Sequence, residues 1–196
     1  MPLPAPSDRK LMHTRRIECW GYERADGLFD IEGRLHDSKS YGFDNAWRGR
    51  VEADEPVHDM RVRLTVDLDF IIRDVEACSD ATPYSMCGAI APDYKKLVGL
   101  PLMRDFKRQM RKLVGHAHGC THLSEIVGRL ATVAFQTIGS IKSRRDRAAG
   151  KLPDPTKRPA ILETCHAYAT DSPVVQKYYP NFFTGAVTAR DETPAA

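Results

Sequence analysis

The feature that most limits how this chain can fold is one long apolar stripe. Leu123, Ile126, Val127, Leu130, Ala131, Ala134, Ile138 and Ile141 recur at i, i+3, i+4, i+7 and i+8, the spacing of a helix with a continuous apolar face. Such a face needs a broad surface to cover it. Thr121 fits the N-cap, Glu125 falls where a negative charge favours the helix start, and Lys142, Arg144 and Arg145 suit its negative pole. A central helix over about 123–142 is the expectation.

The cover is supplied by the first 80 residues. Ile17, Cys19 and Gly21 alternate with Arg16, Glu18, Trp20 and Tyr22, and Asp26-Gly27 marks a hairpin before the run from Leu28 to Leu35. Met60, Val62, Leu64 and Val66 alternate with Arg61, Arg63 and Thr65, and after a turn at Asp67-Leu68-Asp69 a further strand runs from Phe70 to Cys78. Residues 36–56 show no clean period and stay unassigned. After Thr82-Pro83 the texture turns helical, in segments 92–98, 103–114, 123–142 and 160–168, with a basic, Pro-rich linker at 143–159. Strands first and helices after predict an α+β fold: four or more antiparallel strands with the later helices packed on one face.

With 196 residues, 42% of them hydrophobic, the chain suits a single domain over 13–184, with loose ends at 1–12 and 185–196. Its 29 basic and 26 acidic side chains leave a net charge of +3, a nearly balanced surface that points to no nucleic-acid partner. Neither an N-terminal apolar core segment nor a run of 18 or more apolar residues occurs, so no membrane association is expected and the cytoplasm is the expected location. Five widely spaced cysteines (Cys19, Cys78, Cys87, Cys120, Cys165) argue against a disulfide framework.

Chemistry concentrates at the start of the long helix, in His116-Ala117-His118-Gly119-Cys120-Thr121-His122. A cysteine there faces unpaired backbone N–H groups, which favour the thiolate that binds metal. His118 and His122 bracket it, and Gly119 permits the turn that a shared ligand set requires. Cys87, on the Pro- and Gly-flanked stretch Asp80 to Gly88, is the partner to look for at the strand exit. His58-Asp59 cannot pair with each other, because successive strand side chains point to opposite faces. A carboxylate from another strand would have to orient His58, and Arg15 or Arg16 offers a guanidinium for an anionic group. Asp74 and Glu76 form a further carboxylate pair on one sheet face.

Two resemblances add to this reading. From His13-Thr14-Arg15 through Gly21-Tyr22, Asp26-Gly27-Leu28, Ile31-Glu32-Gly33, His58-Asp59-Met60 and Gly119-Cys120-Thr121-His122-Leu123, the chain resembles the bacterial domain of unknown function 2889 family, which implies no activity. Over about residues 60–145 it is similar to iron–sulfur scaffold proteins of the NifU and IscU type. The similar parts are strands Met60–Val66 and Ile71–Val75, the loop Cys87-Gly88-Ala89-Ile90-Ala91, and Cys120 before the long helix. No cysteine lies between Cys87 and Cys120, and Gly119 stands where the scaffolds have histidine. This resemblance implies an IscU/SufE-like sandwich with a Cys/His site at the strand exit and helix start.

The expected function is a small-molecule enzyme of lyase, isomerase or hydrolase type. A mononuclear zinc or iron ion would be held by Cys87, Cys120 and His122, with His118 nearby, and His58 or Asp80 would move a proton. In a metal-free form Cys120 or a histidine would act as the acid–base group. The alternative is a non-catalytic sulfur, iron–sulfur or metal-transfer scaffold. A small-molecule substrate is the expected partner, and the reading is compatible with a homodimer.

Overall fold

The computed structural model describes residues 3–151 and 154–185. Its contacts divide the chain into two compact units, Met1–Arg145 and Asp146–Ala196, so the stretch expected as one domain, 13–184, falls in both. Residues 3–12 carry no regular structure, and the expected loose end beyond residue 185 lies outside the described residues.

In the first unit, β1 (His13–Glu23), β2 (Phe29–Lys39), β5 (Pro56–Val66) and β6 (Ile72–Ala81) form one antiparallel sheet in the order β1-β2-β5-β6. This is the predicted α+β arrangement. The Asp-Gly signal is met by a longer turn than two residues: Arg24 N–H donates to Leu28 O, the Asp26 carboxylate receives Leu28 N–H, and Gly27 takes φ +85°, which glycine adopts without steric cost. The unassigned 36–56 stretch resolves into the end of β2 and a small hairpin of β3 (Phe43–Asn45) and β4 (Gly49–Val51). Tertiary pairing and not local pattern sets these short strands, which explains their silence in the sequence.

One sheet face is apolar. Phe29, Ile31, Leu35, Met60, Val62, Leu64, Val66, Ile72 and Val75 are buried under α2 (Thr121–Ala148), which contributes Leu123, Ile126, Val127, Leu130, Ala134 and Ile138. The helix lies so close that a Cβ on Gly33 would sit 2.5 Å from Ile126 Cγ2, and one on Gly21 would sit 2.0 Å from Thr137 Oγ1. Those two glycines set the helix–sheet spacing. Ion pairs fix its direction: Arg15 meets Glu125 near the helix start, and Lys142 and Arg145 meet Asp69 and Glu23 near its end.

Four expectations for the later chain are corrected. Segment 92–98 belongs to a 3₁₀ run, Cys87–Leu97, with Pro92 inside it; the proline withholds an N–H from an α-helical ladder. Segment 103–114 shortens to α1, Phe106–Val114, because Asp105 is left-handed (φ 54°). The expected linker at 143 begins later, since α2 continues to Ala148. In the second unit, the 160–168 segment holds only a 3₁₀ turn, His166–Tyr168. The unexpected α3 (Pro173–Tyr178) is capped by Ser172 Oγ, which accepts from Val175 N–H at 3.2 Å.

Candidate functional site

The apolar face of the sheet ends in a charged row. Register places Arg15 of β1 directly opposite Asp37 of β2, and Asp37 directly opposite His58 of β5. Strand periodicity puts these on the same face as Ile17, Leu35 and Met60, so the row lies at the helix-covered edge of the core. Beyond Asp37 the pairing shifts, with Ser38 opposite Pro56, a β-bulge of the kind that re-aims side chains beside sites.

Asp37 is the centre of the row, with its side chain 3% exposed. Arg15 grips it bidentately, Nε to Oδ1 at 2.8 Å and Nη2 to Oδ2 at 2.6 Å. His58 Nδ1 lies 3.0 Å from Oδ2 and His13 Nε2 3.3 Å from Oδ1. Arg15 is itself held from above, its Nη1 donating to Glu125 Oε2 at 2.8 Å. The first turn of α2 then closes over the row: the His122 ring lies 3.8 Å, centroid to centroid, from the His58 ring at 32°. Asp37, His58 and His122 present ligand atoms all within 4.8 Å of one another, a possible metal-binding group and the only such group of three among the described residues.

The electrostatics favour the forms a metal or an acid–base step needs. Burial pushes the His58 imidazole below its ordinary range, His122 pushes it the same way, and Asp37 opposes them. Burial also lowers His122, with the Arg15 charge adding to it and Asp37 and Glu125 opposing. Burial alone would raise the Asp37 carboxyl, but the Arg15 hydrogen bond and charge, followed by the His58 hydrogen bond, outweigh it and hold the acid below its usual range. The row therefore favours two neutral imidazoles beside an ionised carboxylate. Neutral imidazole and carboxylate are the ligating forms for zinc or iron.

The helix start is pinned by a buried phenol. Tyr94, fully buried on the 3₁₀ run, accepts from Cys120 N–H at 3.1 Å and lies 2.8 Å from both Cys120 O and Ser124 Oγ. Cys120 O accepts the first helical bond from Ser124 N–H, so Cys120 occupies the N-cap place expected of Thr121. Its Sγ is 3.9 Å from His122 Nδ1.

Of the residues singled out by sequence, the structure brings His58 and His122 together and sets Cys120 beside them. Cys87 does not join them in a ligand group among the described residues; it is half-buried at the start of the 3₁₀ run. His118 is exposed on the short turn His116–His118. Asp80 points to the other sheet face, where Arg61 Nη1 meets it at 3.1 Å. Asp74 is taken by Lys95 and Glu76 by Arg63. The sequence assigned Asp37 no site role, although a carboxylate from another strand to orient His58 was called for. The registration of β2 on β5 that selects it is a long-range pairing, Asp37 opposite His58.

A family model described as "Protein of unknown function (DUF2889)" matches residues 13–136, and the chain belongs to that family. The match contains the whole row together with Tyr94, Cys120 and His122. No curated protein and no solved structure matches the chain. No helix among the described residues is long and apolar enough to cross a membrane.

Proposed function

We propose that this member of the family is a metal-dependent enzyme acting on a small organic molecule, with Asp37, His58 and His122 as its ligands. The observation that carries the reading is the close approach of one buried carboxylate and two imidazoles held toward neutrality. Two histidines and a carboxylate leave coordination positions open for water or substrate, the arrangement of catalytic zinc and non-haem iron sites. An ion there would polarise a substrate oxygen or activate water, which suits hydrolase, lyase or isomerase chemistry. Cys120, beside His122, is placed to act on the same substrate.

Elemental analysis of protein purified without added metal tests the proposal. Stoichiometric zinc or iron is expected, lost in His58→Ala and His122→Ala and retained in Cys87→Ala. Metal-free native protein, or retention of the ion by the double histidine variant, overturns it. The rival scaffold reading calls for thiol ligation, so loss of metal in Cys87→Ala or Cys120→Ala with retention in His58→Ala would favour that reading instead.

A second reading has its own support. Asp37 already accepts from Arg15 twice and lies 3.0 Å from His58 Nδ1, with His13 Nε2 3.3 Å away, which occupies most of the lone-pair sites of a carboxylate. In a metal-free enzyme this is how an acid fixes a histidine base by holding its Nδ1. Activity that survives chelation but falls in Asp37→Asn would identify that mode.

A further inference from the structure

The overall charge balance conceals one strongly segregated patch. Arg104, Lys107, Arg108, Arg111 and Lys112 fall at i, i+3, i+4, i+7 and i+8 through α1 and the residues leading into it, and all five are exposed. The opposite side of the same helix is spent on the core, with Phe106 and Val114 buried and Met110 and Leu113 packed against them. The single carboxylate in the segment, Asp105, is engaged by Arg108 at 2.8 Å. Arg111 donates to His116, an imidazole and not an acid. Lys107 and Lys112 have no carboxylate within ion-pair reach among the described residues. On the outer sheet face, by contrast, Arg34, Arg61 and Arg63 each hold an acid.

We propose that the exposed face of α1 binds the phosphate backbone of duplex nucleic acid without regard to sequence. Three features select that partner. Within α1, Lys107, Arg108, Arg111 and Lys112 form a rigid row about 7.5 Å long at about 1.5 Å rise per residue, with Arg104 just before it; such a row outspans one phosphate and suits consecutive ones. No aromatic ring lies within the row, so it lacks the stacking platform that single strands use. The apolar stripe of the helix is already buried, which leaves no face to insert into a lipid surface. Recognition of phosphate charge by such a row carries no sequence information.

Fluorescence anisotropy with the full chain and a labelled random-sequence duplex tests this. With about four phosphate contacts, affinity falls about a hundredfold for a fourfold rise in salt. The Lys107→Glu/Lys112→Glu variant changes only exposed side chains and keeps the native circular dichroism; its affinity falls at least tenfold and its salt slope flattens by about two contacts. His122→Ala, at the separate site, binds duplex as the native chain does. Unchanged binding in the double variant, no measurable duplex binding at low salt, or equal or tighter binding to a single strand, to polyglutamate or to phosphatidylserine vesicles overturns the proposal.

Discussion

The two faces of one sheet use the same residue types to opposite effect. On the inner face Arg15, Asp37 and His58 stand in register under the start of α2, with Asp37 buried and every polar group turned on the next. On the outer face Arg63 bridges Glu32 and Glu76, Arg34 takes Asp59 and Arg61 takes Asp80, and most of these side chains are wetted. The neighbours His58 and Asp59 belong one to each system. An outer pair is screened and costs side-chain entropy, so it contributes little. The inner row is desolvated, so each member depends on the others.

The largest expected effect breaks the inner row. Asp37→Ala leaves Arg15 with Glu125 alone and deprives His58 Nδ1 of its buried partner, and it destabilises the fold by about 3 kcal/mol in urea unfolding. Asp80→Ala, on the outer face, changes stability by under about 1 kcal/mol. Equal losses would erase the distinction between the faces.

Next comes the helix that covers the row. Tyr94→Phe deprives Cys120 N–H of its acceptor and costs about 1–2 kcal/mol. It also loosens His122 over His58, so weaker metal uptake should accompany the stability loss. A stability loss with unchanged uptake would confine Tyr94 to the fold.

The pH dependence separates the faces without mutation. His58 and His122 are held below their ordinary range in the folded state, so the unfolded chain binds more protons as pH falls through about 6.5. Stability therefore declines on acidification in that window, and it does so less steeply in His58→Gln/His122→Gln. Asp59, lowered chiefly by its hydrogen bond from Arg34, supplies stability above the ordinary carboxylate value and loses it only as pH falls through its lower folded value. Its contribution is flat where the histidines titrate. A native profile flat from pH 7 to 5 would contradict the inner-face assignment. The smallest effect is Trp20→Ala on the outer face, where the ring is 41% exposed; a change within about 0.5 kcal/mol is expected.

Most of the fold was legible because each main element announces its own period. The strand alternation of Met60 to Val66 and the stripe from Leu123 to Ile141 required a sheet and a covering helix, and both are present. The 3₁₀ run at Cys87–Leu97 and the hairpin at 43–51 were not legible, since their geometry comes from what they pack or pair against. At the site, the sequence marked His58, Cys120 and His122 by residue type and helix position.

By itself, then, the sequence determined an α+β chain whose long helix begins with cysteine and histidine, because local periodicity and capping are written in neighbouring residues. Tertiary structure alone decided that His122 meets Asp37 and His58 and not Cys87, and that Asp80 turns away. Register across three strands selects which distant side chains share a face, and no spacing along the chain encodes that choice.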